Sequence, residues 1–353
     1  MNSSVFEVDE NPANRILSNQ GKTYLYFGGT AYLALATHPE FKELFIKGVR
    51  KYGVNIGTSR LNNVQLHLYE EAEKEWAQRF DFESSILTSS GYLASQLVYQ
   101  YYAPYADEIF VAPATHPANT QFGSLPETML PRKEWEIQTL EKIQKSHHHT
   151  FLIFSNSLNN LYPEKYDFSW LNGVDSKKKI ILVMDDSHGI GIIRENKPSI
   201  SLENIHSENI EVIIVASLAK GFNTDAGVVL SSKKNIDDLR THPVFIGASP
   251  PSPAGIFALL HSKDIYESQR EKLMENLEYF KSLSSSLLSI QNFPVFTFLY
   301  SGSYQPLLDN RVLISSFPYP NPSSTHLDRI VLSADHSKKD LEQLSGVLKT
   351  LGS

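Results

Sequence analysis

Two unbroken hydrophobic runs near the middle of the chain constrain its fold more than any other feature. Residues 180–184 (IILVM) and 212–216 (VIIVA) contain no polar side chain. A strand with one face in water alternates apolar and polar residues, whereas a strand covered on both faces does not need to. Similar but less uniform runs occur in residues 85–88, 108–111, 151–154 and 227–230. These runs predict a largely parallel β-sheet with helices on both faces.

The segments between these runs have the spacing of amphipathic helices. Leu66, Tyr69, Ala72, Trp76 and Phe80 recur every three or four residues, with Glu and Lys between them. This spacing places the apolar side chains on one stripe of a helix, which then faces the core. Strands that alternate with such helices are typical of a doubly wound α/β fold. The predicted fold class is therefore α/β, with a large, mostly parallel-sheet domain and a smaller α+β domain.

The alternation of strands and helices ends near residue 252, after which apolar residues keep helical spacing and no strand-like run interrupts them. We predict one long helical stretch over residues 252–287. Short apolar segments and Pro-rich loops follow, and a last amphipathic helix carries Leu341, Leu344, Leu348 and Leu351. The predicted organisation has three parts: an N-terminal segment that joins the smaller domain (1–45), a large α/β domain (46–282) and a small C-terminal α+β domain (283–353).

Composition argues against several classes of protein. The formal net charge is −7 and no basic stripe offsets it, which argues against nucleic-acid binding. The chain has no cysteine, so disulfides and thiolate metal sites are excluded. Its start lacks the basic and apolar regions of a signal peptide, and no apolar run approaches the ~20 residues of a membrane helix. We therefore expect a cytoplasmic protein without a membrane span.

A histidine tract at residues 147–149 looks like a metal-binding sequence. It follows Lys145 and Ser146 in a polar connection, and no other His, Asp or Glu set at ligand spacing accompanies it. We interpret the tract as a solvated loop and predict no metal site.

The two hydrophobic runs lead into residues that carry chemistry. The first is followed by residues 185–189 (DDSHG) and the second by residues 217–221 (SLAKG). Pyridoxal phosphate needs a lysine amine that holds its aldehyde as a Schiff base, and a carboxylate that keeps its pyridine nitrogen protonated. Lys220 and an aspartate, Asp185 or Asp186, meet these needs. We therefore predict pyridoxal 5'-phosphate as the cofactor, with Lys220 also moving the α-proton of the substrate.

A Ser-Gly-Tyr sequence is the candidate phosphate site. It follows an apolar run and precedes a helical pattern. Backbone amides at the start of a helix bind phosphate, and glycine lets the backbone approach closely. Ser90, Gly91 and Tyr92 are therefore predicted to bind the cofactor, with a further hydroxyl from Ser217.

Several motifs recur in a characteristic order, and they cover most of the chain. They are residues 32–40 (YLALATHPE), 52–60 (YGVNIGTSR), 89–92 (SSGY), 185–189 (DDSHG), 217–220 (SLAK) and 329–336 (RIVLSADH). In this order they resemble the motifs of the α-oxoamine synthases, which include 8-amino-7-oxononanoate synthase and glycine C-acetyltransferase. The resemblance implies the fold-type I architecture of pyridoxal-phosphate-dependent transferases.

The resemblance also implies roles around the cofactor. Its register, with the histidine three residues after the acid, favours Asp185 over Asp186 as the partner of the pyridine nitrogen. The same register directs His188 to the phenolic oxygen of the cofactor. A histidine at the position of His116 stacks on the cofactor ring in this family.

Two further positions follow from the same resemblance. A polar side chain near the phenolic oxygen is implied at Asn156 or Ser157, of which we prefer Asn156. Arg329 is implied to hold the carboxylate of the amino-acid substrate through two hydrogen bonds.

The implied reaction is decarboxylative condensation of a small amino acid with an acyl-CoA thioester, carried out by a homodimer. An aminotransferase, aldolase or decarboxylase would use the same cofactor residues with a different second substrate, such as a keto acid. A cofactor-binding scaffold without turnover is the non-enzyme alternative. The chain departs from the family pattern at Thr30 and in the short segment 61–66. It departs again in residues 246–251, where the family often has a phosphate-binding Ser-Thr before two prolines and this chain has Gly247 and Ser249. These departures leave the amino acid and the acyl donor open.

Overall fold

The computed structural model describes residues 6–121, 130–284, 287–319 and 323–351. Within these ranges the strands are β1 Ile16–Asn19, β2 Lys22–Phe27, β3 Ser84–Thr88, β4 Glu108–Val111, β5 Thr150–Asn156, β6 Leu158–Asn159, β7 Glu164–Lys165, β8 Lys179–Asp185, β9 Ile210–Ser217, β10 Gly227–Ser231, β11 Val295–Thr297, β12 Val312–Pro318 and β13 His326–Val331. The helices are α1 Pro39–Tyr52, α2 His67–Phe80, α3 Gly91–Tyr102, α4 Arg132–Lys145, α5 Lys233–Arg240, α6 Pro243–Gly247, α7 Pro253–Leu260, α8 Lys263–Leu283, α9 Tyr304–Asp309 and α10 Lys338–Thr350.

The larger sheet has the strand order β3-β10-β9-β8-β5-β4. Strands β9, β8, β5 and β4 pair in parallel, and β10 is antiparallel to both of its neighbours. The connection from β9 to β10, residues 218–226, is too short for the crossover that a parallel pair requires. The sheet is nevertheless mostly parallel and its central strands are buried, so the predicted α/β class is confirmed.

The smaller sheet has the order β1-β2-β12-β13-β11. It joins the two ends of the chain, because β2 pairs in parallel with β12, with Leu25 opposite Val312. The other pairs in this sheet are antiparallel. The domain boundaries at 45/46 and 282/283 stay predictions.

The long helical stretch predicted over residues 252–287 differs from the structure, which has two helices there. Helix α7 ends at Leu260 and α8 begins at Lys263. Between them, the hydroxyl of Ser262 donates to the carbonyl of Leu259. Such a local side-chain bond competes with the helical backbone bond and favours a break, which hydrophobic spacing does not reveal.

Helix α2 has the predicted apolar stripe, with Tyr69, Ala72, Trp76 and Phe80 all buried. Among the described helices, none combines the length and the hydrophobicity needed to cross a bilayer.

Candidate active site

Lys220 lies in the tight loop that joins β9 to β10. The loop is closed by two backbone bonds, from Leu218 N–H to Ala226 O (2.9 Å) and from Thr224 N–H to Leu218 O (3.2 Å). The lysine is half-buried, and no ion pair of its ammonium is found within the described ranges. Burial lowers the pKa of the Lys220 amine, while the Asp185 carboxylate opposes that shift. A larger fraction of the amine is therefore neutral near pH 7 than for a lysine in water.

Asp185 and Asp186 follow one another in sequence but lie in different surroundings. Asp185, the last residue of β8, is half-buried and accepts from the Asn119 amide (2.9 Å) and from the Ser187 N–H (2.9 Å). Asp186 is fully buried and accepts from Ser157 Oγ (2.6 Å) and from the N–H and hydroxyl of Ser199. Burial raises the pKa of Asp186 to about 6, and the bonds from the two serines oppose the rise. Only Asp185 therefore faces the open edge of the sheet beside Lys220.

His188 lies one turn beyond these carboxylates and contacts Tyr32. Its Nδ1 is 2.8 Å from the Tyr32 hydroxyl. Burial lowers the pKa of His188 well below its ordinary value, and the charges of Lys220 and Arg329 act in the same direction. The imidazole is therefore neutral at pH 7.

The Ser-Gly-Tyr sequence forms the start of α3, as predicted. Ser90 caps the helix, and its hydroxyl accepts from the Leu93 N–H (3.1 Å). The first amides of a helix lack partners within it and are free to bind an anion. A side chain at Gly91 would put its Cβ 2.5 Å from the Cβ of Ser217, so only glycine lets the helix start approach the end of β9 this closely. Tyr92 is exposed at the same helix start.

His116 and Asn156 belong to one loop-strand contact. The Asn156 side chain accepts from the His116 N–H (3.0 Å) and donates to Ala114 O (2.7 Å). The His116 ring is exposed, and its Nδ1 accepts from the Ala118 N–H (3.1 Å). Desolvation lowers the pKa of His116, and Asp185 opposes that shift. Asn156 thus holds the His116 loop in place, which the sequence did not indicate.

Arg329 lies in β13 of the smaller sheet and is 7% exposed. One guanidinium nitrogen, Nη1, donates to the Asn160 carbonyl (3.1 Å), and the group lies over the Phe317 ring (5.2 Å). Its Nε is buried without a hydrogen-bond partner, and no carboxylate pairs with it among the described residues. An unpaired buried guanidinium is costly, so this site is prepared for an anionic group.

Most of the predicted site residues lie close enough for their charges to affect one another's pKa. Lys220 and Asp185 both influence the pKa of His116, and Lys220, Arg329 and His116 all influence that of His188. By contrast, the histidine tract 147–149 is exposed on a loop before β5.

Three residues of this site had no predicted role. Tyr32 and Ser187 lie within two of the motifs that resemble those of the α-oxoamine synthases, residues 32–40 and 185–189, and these motifs could have indicated their place in the site. Asn119 had none, because nothing in the sequence relates its amide to Asp185. The Ser187 hydroxyl accepts from the Ser217 N–H (2.8 Å), which ties the ends of β8 and β9 together.

Comparison with known proteins gives the same architecture. No protein-family model matches the chain. Serine palmitoyltransferase from Sphingomonas wittichii superposes with a TM-score of 0.83 at 16% identity, covering 100% of this chain and 93% of that one. An 8-amino-7-oxononanoate synthase from Francisella tularensis has a TM-score of 0.69 at 18% identity, covering 94% and 99%. These structures confirm the predicted fold.

Curated relatives match over nearly the whole length. The 8-amino-7-oxononanoate synthase of Nitrosomonas eutropha is 26% identical, and the match covers 98% of this chain and 94% of that protein. That of Vibrio vulnificus is 24% identical, with 95% and 90% covered. Over nearly its whole length the chain is similar to proteins named 8-amino-7-oxononanoate synthase, so the predicted resemblance to the α-oxoamine synthases is confirmed. The resemblance to pyridoxal-phosphate-dependent transferases of fold-type I, predicted from the sequence motifs, is thus supported by both sequence and fold.

Proposed function

We propose that this protein is an α-oxoamine synthase, which condenses a small amino acid with an acyl-CoA thioester and releases the amino-acid carboxylate as CO2. The observation that carries the proposal is the buried, unpaired Nε of Arg329, a carboxylate-binding group whose charge reaches the site of Lys220 and His188. The full-length similarity to proteins named 8-amino-7-oxononanoate synthase supports the acyl-transfer chemistry.

The chain's own groups fit pyridoxal phosphate at this site. The capped start of α3 offers backbone amides to a phosphate, and Gly91 lets this helix start lie directly against Ser217 at the end of β9. Asp185 keeps lone pairs beyond its two internal bonds, which suits a protonated pyridine nitrogen. Lys220 is near enough to feel the Asp185 charge and is not paired within the described ranges. When bound, the cofactor supplies an electron sink for negative charge that develops at the substrate's α-carbon.

Each protein group then has a distinct task. Arg329 binds the substrate carboxylate and sets the orientation of the α-carbon. Lys220, with its lowered pKa, takes the α-proton, because a neutral amine is the base that this step needs. His116, whose ring is exposed and whose pKa responds to Asp185, would cover the face of a bound cofactor ring. Ser90, Gly91, Tyr92 and Ser217 would hold the phosphate.

We also propose that the active unit is a homodimer. The loop between α1 and α2 exposes Val54 (72%), Leu61 (68%) and Val64 (72%) to solvent, which a second copy would cover. Ser249 and Gly247 are exposed as well and are available to a neighbouring subunit. Light scattering on the purified protein tests this: a dimer mass for the wild type and a monomer for Leu61→Asp with Val64→Asp is the expected result.

The reaction is tested by pairing amino acids with acyl donors. Glycine, alanine and serine are each mixed with acetyl-, pimeloyl- and palmitoyl-CoA in the presence of pyridoxal phosphate. We expect one pair to release free CoA thiol and CO2 together, with a ketone product that contains the acyl chain. Formation of a 2-oxo acid from the amino acid alone, with no thiol release from any thioester, would contradict condensation and identify an aminotransferase.

A further inference from the structure

Tyr32 is a buried phenol whose hydroxyl contacts the site directly. The side chain is 0% exposed, and its oxygen is 2.8 Å from His188 Nδ1. Among the described residues, the hydroxyl has no other hydrogen-bond partner. The sequence places Tyr32 in a motif at the start of the chain, far from the residues that carry the reaction.

The proton positions in this contact follow from the two groups. Burial raises the pKa of Tyr32, so the phenol keeps its proton, and burial lowers the pKa of His188, so the imidazole is neutral. A neutral imidazole has one N–H and one acceptor nitrogen. If Nδ1 carried the proton, the Tyr32 hydroxyl would be a buried donor without an acceptor, which costs about 1–3 kcal/mol. Tyr32 therefore donates to Nδ1, and the imidazole proton is on Nε2.

The backbone of Tyr32 is anchored to the smaller sheet. Its carbonyl accepts from the Ala334 N–H (2.8 Å), just beyond β13. The next carbonyl, that of Leu33, accepts from the Gln269 amide (2.9 Å). The phenol is thus held by one sheet while its hydroxyl reaches the histidine of the other.

We infer that Tyr32 is a positioning residue: it fixes His188 in the tautomer with the proton on Nε2 and so makes the ring a hydrogen-bond donor toward the cofactor. The inference rests on the proposed cofactor site, because it gives a reason for His188 to act as a donor there. Without the phenol, both neutral tautomers are open to the ring. The donor toward the cofactor is then present only part of the time.

The test is nitrogen NMR of the full-length protein labelled with 15N-histidine, before and after addition of pyridoxal phosphate. Two-bond proton-nitrogen spectra separate the two tautomers, and His188→Gln assigns the signal. The variant Tyr32→Phe keeps the ring and removes only the hydroxyl. Tyr266→Phe is the matched control, because Tyr266 is equally buried and its hydroxyl donates to the Gly191 carbonyl, away from His188.

We expect the wild type and Tyr266→Phe to show a protonated Nε2 and an accepting Nδ1, and Tyr32→Phe to show a mixture. The affinity for pyridoxal phosphate should fall about two- to tenfold in Tyr32→Phe, because only a fraction of the population then has the tautomer that binds the cofactor, and it should remain unchanged in the control. A proton on Nδ1 in the wild type, or an unchanged tautomer in Tyr32→Phe, would overturn the inference.

Two outcomes separate this inference from the proposed function. If the wild type takes up no pyridoxal phosphate but shows the Nε2 tautomer, the cofactor proposal fails while the tautomer assignment is supported. If Tyr32→Phe does not fold, the wild-type spectrum alone decides, because a proton on Nδ1 contradicts the assignment.

Discussion

The end of the larger sheet and the strand that carries Arg329 contribute to neighbouring parts of the site. They differ in whether their polar groups have hydrogen-bond partners within the protein. At the sheet end, Asp185 receives two internal hydrogen bonds and His188 has Tyr32. In β13, by contrast, Arg329 leaves Nε buried without a partner. Under the proposed function, the groups assigned to the cofactor are thus held by hydrogen bonds within the protein. The group assigned to the substrate keeps an unsatisfied donor, which favours binding of a carboxylate.

Loss of the Lys220 amine should have the largest effect of any single change. In Lys220→Ala we expect turnover to fall by about 10⁴-fold or more, since the proton-transfer group is gone. Some pyridoxal phosphate should still bind through the phosphate contacts. Borohydride reduction followed by mass spectrometry should attach the cofactor to Lys220 in the wild type and to no residue in the variant. Lys234→Ala, an exposed lysine paired with Asp238, is the control and should behave like the wild type.

The two adjacent aspartates allow the sharpest test of the site's register. Asp185→Asn should slow α-proton exchange by about 10³-fold, the scale of a lost electrostatic partner in an active site. Asp186→Asn should leave that rate nearly unchanged, because Asp186 is enclosed by Ser157 and Ser199. The exchange is followed by NMR in deuterated water. Equal damage from both changes would mean that the assignment of Asp185 is wrong.

Changes at Arg329 should weaken binding of the amino-acid substrate and leave the affinity for the cofactor largely unchanged. Arg329→Ala should raise KM for the amino acid about 100-fold, as expected for lost hydrogen bonds to a charged group, with a smaller change in kcat. Arg329→Lys keeps the charge but loses the planar fork, so an intermediate KM is expected. Arg311→Ala, at an arginine that lies over Tyr24, is the control. A fall in cofactor affinity as large as the rise in KM would remove the contrast between the two regions.

The smallest expected effect is a shift in pH dependence. Because burial lowers the pKa of Lys220 and Asp185 raises it, Asp185→Asn should lower that pKa further. The amine would then be neutral, and reactive, at lower pH than in the wild type. Labelling of the cofactor-free protein with a small amine-reactive reagent across pH, read by mass spectrometry, measures this. Lys234, whose pKa is raised by the bond to Asp238, should react only at higher pH in both proteins. A Lys220 profile that moves to higher pH in the variant would contradict the influence of Asp185 on the pKa of Lys220.

Much of the fold could be predicted from local pattern. The hydrophobic runs match β8 and β9 because a strand buried on both faces requires an unbroken apolar sequence. The direction of β10 was harder to predict, since the run 227–230 is apolar like the runs that form the parallel strands. Its direction follows from the length of the preceding loop. The break between α7 and α8 coincides with a local bond of the Ser262 hydroxyl, which hydrophobic spacing does not reveal.

The candidate site divides in the same way. Asp185 ends β8 and Lys220 lies just beyond the end of β9. The carboxyl ends of neighbouring parallel strands meet at one edge of the sheet, so the proximity of these two residues was predictable. Tyr32 and Asn119 reach the site across long sequence distances through single hydrogen bonds. No periodicity records such contacts, because they depend on how separate elements pack in three dimensions.

The pairing of β2 with β12 has a consequence for synthesis of the protein on the ribosome. Every strand of the larger sheet, together with Lys220, has emerged before Val312 is made, so that sheet is able to assemble first. Leu25 must wait for its partner, and long-range pairing of this kind is slow. The tyrosine that follows β2 therefore docks late. A nascent chain would hold its lysine and aspartate in place while His188 still lacked the Tyr32 hydroxyl, so full affinity for the cofactor would arrive only with the last strands.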